Sequence, residues 1–199
     1  MTATERTEFR DLVFRYRSYT PIPFLIVMAV FARPTFPSIV AGLAVMLLGE
    51  AIRLWGVSIA GSETRTTGTV GGTYLITTGP FAYVRNPLYV GNMLLYVGVG
   101  ILANALTPWL PLAALGWFAF QYSLIVSGEE EYLAQRFGDA YERYRAGVPR
   151  FLPRLTPYRD TAPAPKSMNI REGLASERRT LQAITLVTLY VLAVYILRS

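Results

Sequence analysis

Four stretches of this chain, residues 37–60, 86–105, 108–126 and 181–197, are apolar over about the length that an α-helix needs to cross a bilayer core, ~20 residues. A fifth and shorter run, 20–32, precedes them. A chain of 199 residues cannot bury that much apolar surface in a soluble core. Within hydrocarbon every backbone N–H and C=O must find its partner inside the protein, which leaves helices as the fitting element. The expected fold is therefore all-α: an integral membrane helical bundle of about five transmembrane helices. Pro34 and Pro37 place a turn between the first two spans. The turn around 104–107 is too short for more than a hairpin, so the third and fourth spans are expected to be antiparallel neighbours.

Charge orients these spans. The first twenty residues hold Arg6, Arg10, Arg15 and Arg17 among acids, with Phe14, Tyr16 and Tyr19 suited to a headgroup belt, and no signal-peptide cleavage pattern follows. With the N-terminus in the cytoplasm, all of the 19 Lys and Arg residues except Arg33 and Arg198 lie in or toward the cytoplasmic side. Residues 79–91 and the acidic run that begins at Glu129 then share that face. The Gly- and Thr-rich residues 61–79 read as a polar loop, 129–145 as a helical stretch, and 148–165 as a Pro-rich surface crossing that runs into a linker. The organisation expected is a core over 1–154, a Pro-rich linker and basic juxtamembrane segment over 155–180, and a terminal transmembrane helix over 181–199.

The formal charge of +6 does not point to nucleic acid, because the Arg residues are spread through loops and a bilayer accounts for them. The chain has no Cys and no His, so thiol nucleophiles, imidazole bases and nearly every metal ligand set are excluded, and no metal is expected. Chemistry must rest on Glu, Asp, Arg, Tyr, Asn or backbone groups.

The most informative segment is Gly79 to Gly91, read Gly-Pro-Phe-Ala-Tyr-Val-Arg-Asn-Pro-Leu-Tyr-Val-Gly. Its two prolines bracket an irregular stretch that ends at a helix start. Glu129, Glu130 and Glu131 follow the fourth span and are expected to face Arg85 at the start of the third. As structure alone they read as acids near a helix N-terminus; beside Arg85 they read as the lining of a polar pocket. Glu50 and Arg53, at i and i+3 within the second span, carry charge where insertion costs on the order of 2.5–3.5 kcal/mol, so they should pair or face a substrate or cofactor.

Gly79-Pro80-Phe81, then Val84-Arg85-Asn86-Pro87-Leu88-Tyr89-Val90-Gly91, an acidic pair, Phe137-Gly138, Tyr141, Tyr144 and Val148-Pro149-Arg150-Phe151-Leu152-Pro153 resemble the isoprenylcysteine carboxyl methyltransferase and phospholipid methyltransferase superfamily. The resemblance covers roughly residues 50–154. It implies an S-adenosylmethionine-dependent membrane enzyme with a cofactor pocket at the cytoplasmic face. It further implies that Gly79, Pro80, Tyr83, Arg85, Asn86, Pro87 and Tyr89 line the pocket and that Glu129 and Glu130 hold the cofactor's polar groups, with Glu129, Glu130 and Arg85 as the catalytic set. Asn86 stands where many relatives have His, and 125–128 lack the Arg that carboxyl methyltransferases carry before the acidic pair. The acceptor therefore stays open among a prenylcysteine carboxylate, a phospholipid amine and another small apolar molecule.

The residues suit that chemistry. Carboxylates bind the amino and hydroxyl groups of a cationic methyl donor, and Tyr83 or Tyr89 offers cation–π attraction of about 0.5–2 kcal/mol. Methyl transfer needs alignment and desolvation more than a covalent relay, and positioning alone is worth about 7–11 kcal/mol. A lipid-like acceptor drawn from the bilayer is the expected partner. Two other readings are a sterol-reductase-like membrane enzyme using NADPH and a scaffold or carrier without catalysis.

Overall fold

The computed structural model describes residues 3–61, 74–159 and 168–198, and their regular structure is entirely helical. In chain order the helices are α1 (Ala3–Tyr16), α2 (Pro21–Phe31), α3 (Phe36–Ala60), α4 (Pro87–Ala103), α5 (Trp109–Phe137), α6 (Asp139–Gly147) and α7 (Ile170–Arg198), with a 3-10 turn at Gly79–Ala82 between α3 and α4. Three of them, α3, α5 and α7, are long and apolar enough to cross a membrane, and the shorter apolar α2 and α4 join them in an all-α membrane protein. The five expected apolar runs are thus five helices. α2 is short, as expected of 20–32, and gives way to extended backbone at Ala32, ahead of Pro34; α4 ends before the expected residue 105, at Asn104, whose φ is +48°.

Two boundaries differ from the expectation. The fourth span and the helical stretch from Glu129 are one continuous α5. No proline interrupts 112–137, and the Ser127 hydroxyl donates back to the Ser123 carbonyl at 2.7 Å, so Ser127 and Gly128 ride inside the helix. The break comes instead at Gly138, with φ +52°. The last helix starts at Ile170, well before residue 181, with Asn169 Oδ1 accepting from the Glu172 N–H at 3.2 Å as its cap. Most of the expected polar loop at 61–79 and the end of the Pro-rich stretch lie outside the described residues.

The chain divides into two compact units, and α3, α4, α5 and α7 each contribute a segment to both. The first, residues 1–48, 93–128 and 183–199, is apolar. Met28, Ile39, Met46, Leu102 and Val191 form its core. A Cβ on Gly98 would lie 2.8 Å from the Met46 N and 3.0 Å from the Gly42 O, so α3 and α4 meet backbone to backbone here, as small residues permit in membranes. Tyr96 stacks on Phe118 at 3.9 Å between ring centroids. Leu47, Leu112, Phe120, Leu186 and Ile196 stay exposed, as side chains facing lipid do.

The second unit, residues 49–92 and 129–182, gathers the irregular backbone and most of the buried charge. Glycine again sets the helix contact, since a Cβ on Gly91 would meet the Gly49 O at 2.7 Å. Tyr141, Tyr144 and Val148 form a small core there. The crossing at 149–158 is held by backbone bonds: Arg85 N–H to Pro149 O at 2.9 Å, Arg154 N–H to Tyr83 O at 2.9 Å and Tyr158 N–H to Ala82 O at 2.8 Å. The start of α7 docks in the same unit through Asn169 N–H to Ser58 O at 2.8 Å.

Candidate functional site

The 3-10 turn that opens the site depends on Gly79. Its φ is +61°, and a Cβ would sit 2.8 Å from Ile59 Cγ1, so conformation and space both select glycine. Pro80 is buried, and its carbonyl accepts from the Tyr83 and Val84 N–H groups at 3.0 and 3.1 Å. Pro87 then starts α4 where its missing N–H costs nothing. These restraints fix the direction in which Arg85, Asn86 and Tyr89 project.

Arg85 lies at the centre of the Gly79–Gly91 motif, and its side chain is 10% exposed. Its Nε and Nη2 donate to Glu130 Oε1 at 3.0 and 2.9 Å, while Nη1 donates to the carbonyls of Arg145 at 2.8 Å and Val148 at 2.5 Å. Arg150 reaches the same carboxylate, through Nε to Oε1 at 3.2 Å and Nη2 to Oε2. Both oxygens of the buried Glu130 are therefore engaged by guanidinium groups. Asn86 Nδ2 donates to the Arg150 carbonyl at 3.1 Å. Beside this group the Tyr89 hydroxyl donates to Glu129 Oε1 at 2.7 Å. Trp55 and Tyr83 lie with ring centroids 6.1 Å apart.

Two further phenols close the underside. Tyr144 donates to the Phe81 carbonyl at 2.8 Å, and burial pushes its hydroxyl far above the ordinary tyrosine range. Burial, reinforced by the Glu130 charge and opposed by the Arg85, Arg145 and Arg150 guanidiniums, pushes Tyr141 up to about 12. Both stay protonated at neutral pH, so neither supplies a phenolate base.

A second polar centre lies on α3. Glu50 and Arg53 form the expected i, i+3 contact, Nε to Oε2 at 3.6 Å, which is longer than a hydrogen bond. Arg53 is instead claimed by α7: Nη2 donates to Glu177 Oε2 at 2.5 Å and to Thr180 Oγ1 at 3.4 Å, and Nη1 donates to Asn92 Oδ1 on α4. Glu177 and Glu50 are both buried.

All the site residues named from sequence lie in the second unit. Three pairings bring them together: Arg85 with Glu130, Tyr89 with Glu129, and Asn86 with the Arg150 backbone. Gly79, Pro80 and Pro87 shape the backbone. Sequence reasoning assigned no role to Arg150, although it stands in the Val148-Pro149-Arg150 block that was singled out. Glu177 was missed altogether, because nothing local connects it with Arg53, 124 residues away.

A sequence model of the phospholipid methyltransferase family matches residues 37–140. A cobalt-zinc-cadmium resistance protein of Cupriavidus metallidurans is 33% identical over 119 residues, 59% of this chain and 50% of that protein. A nickel-cobalt-cadmium resistance protein of Alcaligenes xylosoxydans xylosoxydans is 36% identical over 87 residues, 44% of this chain and 39% of the relative. A protein-S-isoprenylcysteine O-methyltransferase of Schizosaccharomyces pombe is 39% identical over 79 residues, 40% of this chain and 33% of the relative. The matches thus span half or less of each relative's length. No solved structure matches the chain.

Proposed function

The chain belongs to the phospholipid methyltransferase family, and on that premise we propose that it is a multi-pass membrane methyltransferase that takes its methyl group from S-adenosylmethionine and passes it to a lipid-like acceptor. The observation that carries this reading is the paired arrangement in the second unit, Arg85 and Arg150 on Glu130 next to Tyr89 on Glu129. Two separate sequence blocks supply its members.

The donor set suits the cofactor. S-adenosylmethionine carries an ammonium, a carboxylate and ribose hydroxyls, and when bound it supplies an electrophilic methyl group on a sulfonium. Arg150, 32% exposed, presents guanidinium N–H groups suited to the carboxylate. Glu129 and the Tyr89 hydroxyl suit the ammonium or a ribose hydroxyl. The faces of Tyr83 and Trp55 attract positive charge by about 0.5–2 kcal/mol. Arg85 and Glu130 form the fixed base of the site: the Arg85 guanidinium donates to Glu130 and to the Arg145 and Val148 carbonyls, so these side chains keep the neighbouring groups in register. In the same reading Gly79, Pro80, Asn86 and Pro87 shape the wall.

The N-terminus and this site lie on the cytoplasmic side, where the Lys and Arg excess falls. The acceptor enters from the bilayer, a route supported by the apolar spanning helices that carry the site. The metal-resistance names of two relatives belong to those proteins, and a chain without His or Cys offers no reason to propose direct metal handling.

Calorimetric titration of S-adenosylhomocysteine into the detergent-purified protein tests the proposal. Saturable binding that Glu129→Ala weakens is expected. No heat of binding up to millimolar ligand would sink it.

A further inference from the structure

Glu50 is a carboxylate without a hydrogen bond. It is 6% exposed, and neither of its oxygens has a hydrogen-bond partner. Among the described residues the cation paired with it, Arg53, has turned its Nη groups to Glu177, Thr180 and Asn92, and its Nε is without a hydrogen bond as well. Counted together, Glu50, Arg53 and Glu177 hold two carboxylates and one guanidinium. A buried carboxylate in that position must take up a proton or find a second cation, because ions removed from water are tolerated only when paired.

The packing shows why Glu50 is not simply satisfied by Arg53. Gly91 admits the Arg53 side chain against α4, since a Cβ there would collide with the Arg53 stem and the Gly49 carbonyl. Gly173 likewise lets α7 close on Ser58 and Leu54, which sets Glu177 at 2.5 Å from Arg53 Nη2. The terminal helix thus draws the guanidinium away from Glu50. A divalent metal is a poor occupant, because Arg53 stands between the two carboxylates. A single compact positive charge that can donate hydrogen bonds complements the two unbonded oxygens in charge and in hydrogen bonding. On the same helix Ala51 and Trp55 are exposed, an apolar surface against which the tail of an amphiphile can lie.

We infer that Glu50 binds the ammonium group of an amphiphilic amine, with Glu177 on α7 as the positioning residue that holds Arg53 off it. The binding stands independently of the methyltransferase reading and rests on it only in identifying that amine with the methyl acceptor. Glu50 is then also the group placed to receive the proton: the ammonium gives H+ to the carboxylate, leaving a neutral amine and a carboxylic acid.

Octylamine and octanoate titrated into the full-length protein in detergent at neutral pH test this. The unaltered protein should bind octylamine at least about tenfold more tightly than octanoate. Glu50→Gln should lower octylamine affinity by about tenfold or more while leaving S-adenosylhomocysteine affinity and the thermal midpoint near their original values. Glu177→Gln releases Arg53 toward Glu50 and should erase the preference for amine over acid, a change that a merely structural Glu177 would not produce. Equal affinity for the two amphiphiles would overturn the inference, and that comparison requires no variant. So would a carboxylic-acid infrared band that vanishes in Glu50→Gln in a protein that binds no octylamine, since a proton alone would then fill the site. Failure of cofactor binding with amine selectivity intact breaks the methyltransferase reading alone; the reverse result breaks this inference alone.

Discussion

The two buried charge centres of the second unit are built from the same residue types and solve opposite problems. At Glu130 one carboxylate is shared by two guanidiniums, and both oxygens are engaged. At Arg53 one guanidinium is contested by two carboxylates, and Glu50 is left with none of its oxygens bonded. The first centre has the properties of a scaffold and the second those of a receptor. Buried charge alone therefore does not mark a binding group; the distribution of hydrogen-bond partners around it does.

The largest effect expected tests that contrast directly. Glu130→Ala strands the 10%-exposed Arg85 and removes the shared anchor, so unfolding in detergent should show a loss of about 3–5 kcal/mol, with S-adenosylhomocysteine binding lost as well. Glu50→Gln removes a carboxylate that no bond compensates and should leave stability within about 1 kcal/mol of the original or raise it. Equal destabilisation by the two substitutions would erase the distinction. Next comes Gly79→Ala, which meets both a φ of +61° and Ile59 at 2.8 Å; a cost of about 1–3 kcal/mol in the same assay is expected. Tyr89→Phe removes one hydrogen bond to a carboxylate without opening a cavity. It should weaken S-adenosylhomocysteine binding by about tenfold with the unfolding midpoint little changed. The smallest effect is seen only in alkali. Tyr141 holds its proton up to about 12 in the folded protein against about 10 in an unfolded chain, so its contribution is complete below pH 10 and is lost as pH rises from about 10 through 12. Absorbance titration should show the phenolate of Tyr141 appearing only near the upper end, and Tyr141→Phe should flatten the fall in stability over that window.

Features carried by neighbours in sequence were legible from the residues. Apolar run length gave the five apolar helices and the membrane class, and Gly79, Pro80 and Pro87 gave the turn and the helix start that aim Arg85 and Tyr89. The continuity of α5 was not legible, since Ser127 and Gly128 read as punctuation until a bond from one turn to the previous one is seen. The role of Arg150 was half visible, inside a motif but without a partner to give it meaning.

By itself the sequence determined that this is a helical membrane protein without thiol or imidazole chemistry, that it belongs to a methyltransferase family, and that Arg85 and the acids at 129 and 130 share a region. The class and the shared region follow from composition and short-range backbone rules, and the family from the ordered motif blocks. Only the tertiary structure decided which carboxylate each guanidinium takes. Glu177 reaches Arg53 across 124 residues because glycines at 91 and 173 allow helices to approach where any side chain would collide. Charge partners in a buried site are set by such close approaches of distant segments, and a local pattern along the chain carries no record of them.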